Sequence, residues 1–325
     1  MNKEASRWVP FEKPLQEIEQ QIAELESFTA ERGIDRAKQI KALRQRHRVL
    51  LEQIYANLSP WDKVLLARHP ARPYTLDYVR LIFDEFMELR GDRAFGDDPA
   101  MVAGFASLDG KGVAVVGQQK GRDVRERQQR NFGCARPEGY RKALRIMRLA
   151  EKFSRPVVSF VDTPAAESRE DAESRGIAQA IARNLAAMSV LQVPIVVAVV
   201  GEGGSGGAIG IGVGDRVIML EHSIYSVIPP EGCAAILSTF GTDASRASEA
   251  AQALRLTAQD ALGLGVVDEV VPEPLGGAHR DPQEAAKLLK QSIVRALAEL
   301  SPVPADKLVS RRYDKFRRVG VFLSD

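Results

Sequence analysis

One segment of the sequence restricts the fold more than any other. An apolar run, Pro194–Val200, leads directly into the glycine-rich segment Gly201–Gly207. The apolar run predicts a buried strand, and a helix is expected to follow from about Ser205 to Val213. A strand, a glycine turn and a helix in this order leave backbone N–H groups unpaired at the start of the helix. We therefore expect an anion-binding turn at these glycines.

Segments with strand and helix patterns alternate after about residue 100. Val102–Leu108 and Val113–Gln118 flank Asp109-Gly110, a dipeptide typical of tight hairpin turns. A helix at about Glu138–Phe153 precedes a strand at Pro156–Val161, and this βαβ pattern predicts an α/β fold with a mostly parallel sheet. The remaining predicted elements are helices at about Thr75–Leu89 and Asp171–Met188, strands at Asp215–Leu220 and Ile224–Ile228, and helices at Ala244–Leu254, Thr257–Leu262 and Pro282–Leu300.

The first part of the chain has a different pattern, because its apolar residues recur at helical spacing among many charged ones. One series runs from Leu15 to Leu25 and a second from Ile40 to Ile54. A turn at Arg32–Asp35 separates the two series, which predicts a helical hairpin. We therefore expect a helical arm over residues 1–75 and one α/β domain over residues 76–325.

Composition and charge exclude several classes of protein. The formal net charge of +2 argues against a specific nucleic-acid-binding role. The only two cysteines, Cys134 and Cys233, stand far apart, so this chain is expected to carry neither a zinc ribbon nor a disulfide framework. The longest apolar run is too short to cross a bilayer, and no signal peptide is recognisable. We expect a cytoplasmic protein without a metal site of its own.

The glycine segment matches two motifs that would imply other functions. As G-x-G-x-x-G it is Gly201, Gly203 and Gly206, followed by Glu221 near the position of the acidic residue of a dinucleotide site. Against this interpretation, the helix after the glycines is short and itself contains glycine.

As G-x-S-x-G, the same segment centres on Ser205 and would make the chain a serine hydrolase. Asp268 and His279 are the acid and the base that the order of such a triad allows. His279 lies in a loop predicted to be at the surface, where a structural role is more common, so the hydrolase stays a distant alternative.

The third interpretation is an oxyanion hole, in which backbone N–H groups stabilise an oxygen that gains negative charge. Each donor of this kind typically contributes a few kcal/mol. Glycine suits the position because a side chain would block the close approach of substrate. The second donor is expected in Asp162-Thr163-Pro164-Ala165, since the carboxyl ends of parallel strands meet at one edge of the sheet.

The segment from Lys120 to Arg155 is strongly basic, with twelve Lys and Arg against four acidic residues. Two interpretations remain open. The segment is either a solvated helix face with a basic loop, or a docking surface for an anion such as the phosphates of coenzyme A or for an acidic partner.

These segments together resemble the α subunits of bacterial acetyl-coenzyme A carboxylase carboxyltransferases. The resemblance runs from about Phe11 to Gly320, and its ordered motifs include Leu58-Ser59-Pro60-Trp61, Glu88-Leu89-Arg90-Gly91-Asp92-Arg93, Gln119-Lys120-Gly121-Arg122, Gly201-Glu202-Gly203-Gly204-Ser205-Gly206-Gly207-Ala208 and Pro272-Glu273-Pro274-Leu275-Gly276-Gly277-Ala278-His279-Arg280. It implies a crotonase-like ββα spiral and an α2β2 assembly with a zinc-bearing β subunit. The implied reaction moves the carboxyl group of carboxybiotin, held on the biotin carboxyl carrier protein, to acetyl-coenzyme A and gives malonyl-coenzyme A.

The resemblance also implies roles for particular residues. The N–H groups of Gly206 and Gly207 would face the ureido oxygen of biotin, and Ala165 would contribute a further donor. The residues then expected to contact the substrate are Gly203, Gly204, Ser205, Lys120 and Arg122.

The segment after Pro164 departs from the family pattern. Where the family usually has Gly-Ala-Tyr-Pro-Gly, this chain has Ala165-Ala166-Glu167-Ser168-Arg169. Alanine keeps the N–H donor, but a positive φ at Ala165 would strain the loop by about 1 kcal/mol or more. The charged loop is expected to alter the wall beside the biotin pocket. Two further hypotheses are therefore a weakly catalytic or regulatory paralogue and an inhibitor-insensitive enzyme.

Overall fold

The computed structural model describes residues 8–32 and 35–320, which form an α/β body with a helical arm. In this part of the chain the eight strands are β1 (Glu85–Glu88), β2 (Met101–Leu108), β3 (Lys111–Gln118), β4 (Val157–Thr163), β5 (Ile195–Gly204), β6 (Arg216–Leu220), β7 (Ile224–Ser226) and β8 (Glu269–Val271).

Helices account for most of the remaining described residues, and none of them is long and apolar enough to span a bilayer. The α-helices are α1 (Lys13–Arg32), α2 (Ala37–Ala56), α3 (Pro60–Ala67), α4 (Thr75–Ile82), α5 (Val124–Gln129), α6 (Pro137–Lys152), α7 (Glu170–Ser174), α8 (Ile177–Val190), α9 (Ser205–Ile209), α10 (Pro230–Ile236), α11 (Ala247–Ala253), α12 (Ala258–Gly263), α13 (Pro282–Leu300) and α14 (Ala305–Arg317).

The arm is a hairpin of α1 and α2, as the two helical series predict. The helices run antiparallel, since Glu26 pairs with Arg44 at 2.7 Å and the earlier Glu19 pairs with the later His47 at 3.0 Å. Residues 33 and 34 of the expected turn lie outside the described residues.

Beyond the hairpin, α3 packs against the body. Val64 and Ala67 of this helix share a small apolar cluster with Ile224, Ala251 and Leu256. The boundary at residue 75 stays a prediction, because the apolar contacts of α3 cross it.

A buried carboxylate, that of Glu12, anchors the arm to the body. Its Oε1 accepts hydrogen bonds from the hydroxyl of Tyr55 and from Nε of Arg280, each at 2.9 Å. Arg280 also donates to Glu19 of α1 at 2.9 Å. His279 Nε2 lies 3.7 Å from the same Oε1, which is too far for a hydrogen bond.

We expect the stability of the protein to fall as the pH drops from about 4.5 towards 2, and part of this loss to come from Glu12. Burial opposes ionisation of Glu12, but its polar and charged neighbours lower its pKa from 4.5 to about 2. A carboxyl whose pKa is depressed on folding stabilises the folded state above its unfolded pKa and loses that contribution as it becomes protonated. Urea unfolding at several pH values in this range measures the free energy of unfolding. This free energy should therefore depend less steeply on pH for Glu12→Gln than for the wild type. Identical slopes would contradict this account.

The sheet has the order β1-β2-β3-β4-β5-β6-β8, and β7 pairs with the far end of β5. The β1–β2 and β2–β3 pairs are antiparallel, whereas the pairs from β3 onwards are parallel. The β2–β3 hairpin turns at Asp109 and Gly110, whose φ values of 50° and 76° suit a type I′ turn. The structure confirms the mostly parallel sheet and this hairpin.

Outside the glycine segment, two predicted helices are wrong in extent. The helix expected over Thr75–Leu89 ends at Ile82, because Glu85–Glu88 pairs with β2 as an antiparallel edge strand. The helix expected near Asp171–Met188 is broken into α7 and α8 at Gly176, whose φ is 80°. A left-handed residue cannot continue a right-handed α-helix.

Apolar cores cover both faces of the sheet. On one face, Ile146 and Met147 of α6 and Met188 of α8 pack against the strands. On the other face, Tyr78 of α4 and Leu289 of α13 do the same. The layered arrangement leaves the carboxyl ends of the parallel strands free to form a site.

A bulge between β4 and β5 shapes that edge of the sheet. Val161 faces Val199, but Thr163 faces Gly203, so β5 carries two more residues than β4 between these pairs. The extra length bends β5 away from β6, and its last residues pair with β7 instead.

Candidate active site

The glycine segment is arranged differently from the turn that its sequence suggests. Gly201–Gly204 continue β5 as strand residues, and the chain reverses direction at Ser205, whose φ is 51°. The helix expected up to Val213 ends at Ile209. The turn is therefore tighter than predicted, because β7 pairs with Glu202–Gly204 and keeps them extended.

Close backbone contact explains why glycine occupies this turn. A Cβ atom on Gly204 would overlap the carbonyl group of Pro164. A Cβ on Gly207 would lie 2.5 Å from the carbonyl carbon of Ala165, whereas one on Gly206 would meet only Ile181 Cδ1, at 3.6 Å. The structure thus brings together Gly206, Gly207 and Ala165, the three predicted catalytic residues.

The start of α9 presents the predicted donors. Gly204 is the N-cap of this helix and has no side chain to cap it, so the first-turn N–H groups of Gly206 and Gly207 have no capping acceptor. The carbonyl oxygen of Gly207 accepts hydrogen bonds from Gln118 Nε2 at 2.8 Å and from the hydroxyl of Tyr140 at 3.3 Å. These buried bonds hold the turn in one orientation.

The departure from the family at Ala165 introduces no backbone strain. Ala165 is not among the non-glycine residues with positive φ, so a side chain fits there. Its N–H group donates to Thr163 Oγ1 at 3.3 Å, and its carbonyl accepts from the same hydroxyl at 2.6 Å. The role of Ala165 as a donor to a reacting oxygen stays a prediction.

The charged loop after Ala165 is tied down by Glu167. Its carboxylate accepts hydrogen bonds at 2.6 Å from Asn131 Nδ2 and from Arg169 Nη2. Hydrogen bonding from Arg169 and Asn131 lowers the pKa of Glu167 to about 2, although burial acts in the opposite direction. The charge of Glu167 therefore stabilises the loop internally, whereas the sequence suggested a charged wall beside the pocket.

Lys120 lies beneath the glycine strand with only 12% of its side chain exposed. Its Nζ is 2.7 Å from Asp162 Oδ1 and 2.9 Å from Glu202 Oε2. Burial opposes the charge of Lys120, but the two carboxylates outweigh it and raise the pKa of the amine. Burial raises the pKa of Asp162 despite the charge of Lys120. Burial acts in the same direction at Glu202, but Lys120 and Arg68 outweigh it and lower the pKa of that carboxyl. The charge of Lys120 is already balanced by two carboxylates of the protein. The substrate contact expected of Lys120 stays a prediction.

Arg68 extends this network and was not predicted from the sequence. Its Nε donates to Glu202 Oε1 at 2.7 Å, and its Nη1 donates to Glu231 Oε1 of α10 at 2.5 Å. Arg68 thereby connects α3, the glycine strand and α10. No local pattern could reveal it, because its partners are 134 and 163 residues away in the chain.

Arg122 holds a neighbouring segment in place. Its Nη1 donates to the carbonyl of Arg72 at 2.9 Å, and its Nη2 pairs with Asp77. Its guanidinium also lies over the ring of Tyr74, 4.1 Å from the centroid. The substrate-binding role expected of Arg122 stays a prediction.

The residues proposed for a hydrolase triad are not assembled. Asp268 accepts from the N–H of Val217 at 2.7 Å and pairs with Lys315. The side chain of His279 is only 3% exposed and thus not at the surface, and its ring centroid lies 4.2 Å from that of His69. In the described parts of the chain, no hydrogen bond joins Ser205, Asp268 and His279. Glu221 is also occupied, since it accepts the N–H of Glu273 at 3.1 Å, as expected of a structural residue and not of a ribose ligand.

We expect Ser205→Gly to keep catalytic activity within about threefold of the wild type. Glycine tolerates the positive φ at this position, so only the hydroxyl is lost. The measurement is the rate of the reaction that the sequence resemblance implies, accompanied by labelling with a fluorophosphonate probe. Labelling of the wild type that disappears in the variant would contradict our rejection of the hydrolase.

Comparison with known proteins identifies the relatives of this chain. A family model described as acetyl co-enzyme A carboxylase carboxyltransferase-like matches residues 8–320. The acetyl-coenzyme A carboxylase carboxyl transferase subunit alpha of Anoxybacillus flavithermus is 52% identical over 313 residues, which cover 96% of this chain and 95% of the relative. The protein of the same name from Geobacter metallireducens is 53% identical over 312 residues, covering 96% of this chain and 97% of the relative.

Solved structures confirm the crotonase-like fold. The chain is similar to transcarboxylase 12S, with a TM-score of 0.58 and 21% identity over 72% of this chain and 42% of that one. It is also similar to a Pseudomonas malonate decarboxylase hetero-tetramer, with a TM-score of 0.54 and 19% identity over 69% of this chain and 88% of that one. These likenesses concern the fold, whereas the full-length sequence matches decide the family. The chain belongs to the acetyl co-enzyme A carboxylase carboxyltransferase-like family.

Proposed function

We propose that this chain is the α subunit of a biotin-dependent carboxyltransferase that forms malonyl-coenzyme A from acetyl-coenzyme A in fatty-acid synthesis. The observation that carries the proposal is the match to α subunits at 52 and 53% identity over nearly the whole chain. The glycine turn, whose first N–H groups are capped by no side chain, supports it.

The residues at the turn suit an oxygen ligand such as the ureido oxygen of biotin. The N-cap Gly204 leaves the first N–H groups of α9 without a side-chain acceptor, and the start of the helix favours negative charge. Bound carboxybiotin would supply the carboxyl group and, after releasing it, a basic nitrogen for a proton of the acetyl group. Gly206 and Gly207 would donate to the oxygen that gains charge, each contributing about 3 kcal/mol.

The network of Lys120, Glu202 and Arg68 supports these donors. Glu202 stands between Gly201 and Gly203, and its N–H donates to Asp162 Oδ1 at 3.0 Å across the bulge. Two partly buried cations, Lys120 and Arg68, hold its carboxylate, so the strand that leads into the turn is fixed on both sides. In this proposal the chain supplies positioned backbone donors and requires no acid–base side chain.

The proposal includes partner subunits. We infer a zinc-bearing carboxyltransferase β subunit in an α2β2 assembly, and the biotin carboxyl carrier protein as the source of carboxybiotin. Exposed apolar side chains in the segment after β7 and in α10 support a covering partner, since Val227 is 76% exposed and Ile236 is 65% exposed. The unstrained backbone at Ala165 gives no reason to favour a weakly catalytic paralogue.

The test is reconstitution with the β subunit encoded in the same genome. The two chains should copurify, and the complex should form malonyl-coenzyme A when supplied with the carboxylated carrier protein and acetyl-coenzyme A. Each subunit alone serves as the control. A stable complex without turnover would overturn the proposal of catalysis and revive the regulatory paralogue.

A further inference from the structure

A cleft of about 810 Å³ lies between α6 and α8, and the function proposed above makes no use of it. Asp92 is the only acidic residue among those that line it. The cationic residues of its lining are Arg93, Arg141, Arg145, Arg148, Lys152 and Arg183.

The cations on α6 form one helical stripe, which is part of the basic segment noted in the sequence. Arg141, Arg145, Arg148 and Lys152 follow one another at intervals of four, three and four residues, so they share one face of the helix. Arg183 of α8 lies on the opposite wall. The negative C-terminal end of α6 accounts for cations in its last turn, but Arg145 lies too far from that end to benefit.

The loop before β2 is built to project Arg93 into the cleft. Oδ1 of Asp92 accepts hydrogen bonds from the N–H groups of the residues two to four positions later, Ala94, Phe95 and Gly96, at 2.8 to 3.0 Å. Its Oδ2 accepts from Arg141 Nε at 2.7 Å. Arg93 itself has a φ of 64°, a left-handed conformation that is unfavourable for a side chain of this size. Strain of this kind persists where the surrounding contacts enforce it, often at functional sites.

Of the cations in the cleft, Arg141 forms ion pairs with Asp92 and Glu138, but most of the others have no such partner among the described residues. Arg145 donates to the carbonyl oxygens of Leu89 and Gly91, at 2.8 and 3.0 Å. Within residues 8–32 and 35–320, no carboxylate forms an ion pair with Arg145, Arg148 or Arg183. Burial and the nearby charge of Arg93 lower the pKa of Arg145.

We propose that this cleft binds a ligand carrying two or more phosphoryl groups. Guanidinium groups match the oxygens of a phosphoryl group in geometry and charge, and several of them spread over one cleft suit more than one such group. A single carboxylate would leave most of these cations unpaired. The shared chemistry belongs both to free diphosphates and to the diphosphate part of a larger molecule such as coenzyme A.

The test is calorimetric titration of the full-length chain with sodium pyrophosphate and, separately, with coenzyme A at low ionic strength. We expect pyrophosphate to bind with a Kd below about 1 mM. Arg148→Gln/Arg183→Gln should weaken this binding about tenfold or more, because it removes two cations whose side chains make no ion pair with any residue that the structure describes. The matched control is Arg311→Gln/Arg317→Gln on exposed positions of α14, which should leave the affinity unchanged.

The two ligands distinguish the source of the phosphoryl groups. If the cleft variant binds both coenzyme A and pyrophosphate more weakly than the wild type does, the ligand is a larger molecule with a diphosphate part. If only the affinity for pyrophosphate falls, the ligand is a free diphosphate. The absence of saturable binding of both, or equal affinity in the wild type and the cleft variant, would overturn the proposal. Tighter binding of a tetraglutamate peptide than of pyrophosphate would overturn the phosphoryl assignment and point to an acidic protein partner.

Discussion

Gly207→Ala is expected to lower the rate of malonyl-coenzyme A formation about a hundredfold or more, equivalent to the loss of one oxyanion donor. Its new Cβ would lie 2.5 Å from the carbonyl carbon of Ala165 and 2.7 Å from the N atom of Ala166. Backbone atoms cannot rotate away as a flexible side chain can. The turn and the loop after β4 must therefore separate, and both sets of predicted donors move.

The neighbouring glycine provides a matched control. A Cβ on Gly206 would meet only Ile181 Cδ1, at an ordinary contact distance of 3.6 Å, so Gly206→Ala should keep at least about a tenth of the activity. Rates are to be measured in the reconstituted complex, with its assembly and its unfolding midpoint as checks that each variant is intact. Equal losses in the two variants would contradict the steric argument.

Arg72→Met is expected to lower the free energy of unfolding by about 3–5 kcal/mol, because it leaves a buried carboxylate without its charge partner. Arg72 is 1% exposed, and its Nη1 and Nη2 donate to the two oxygens of Glu273 at 2.9 and 2.6 Å. Its Nε also donates to the carbonyl of Val200, at the point where β5 enters the glycine segment. This one side chain therefore joins the strand to the loop after β8.

An exposed ion pair of the same residue types provides the comparison. Arg216 and Glu299 lie 2.9 Å apart with 43% and 50% of their side chains exposed. Arg216→Met should therefore cost less than about 1 kcal/mol. Urea unfolding of both variants, analysed by linear extrapolation, measures the difference. A cost for Arg72→Met as small as that for Arg216→Met would refute the importance assigned to the buried pair.

The elements predicted correctly are those whose signals lie within a few residues of one another. The helical series of the arm, the Asp109-Gly110 hairpin and the apolar strand Pro194–Val200 all carry local patterns. The errors have tertiary causes. The segment Glu85–Glu88 looks helical but pairs with β2, and the helix predicted up to Val213 ends at Ile209 in the structure.

The candidate site likewise has one part that the sequence predicts and one part that it does not. The glycines were identifiable because an oxyanion turn needs close backbone approach, and the structure places Gly207 against Ala165. The network below them was not identifiable. Arg68, Lys120 and Glu202 meet only because the bulge in β5 turns Glu202 towards α3 and the end of β3.

The sequence by itself determined the alternation of strands and helices, the family and the glycine turn, since each depends on residue type and short spacing. Tertiary structure alone decided where β5 bends, which charges neutralise one another and that Ala165 adopts an unstrained conformation. The physical reason is the separation along the chain over which each interaction acts. Backbone propensity and periodicity act over one or two turns, whereas burial and ion pairing depend on residues brought together from more than a hundred positions apart.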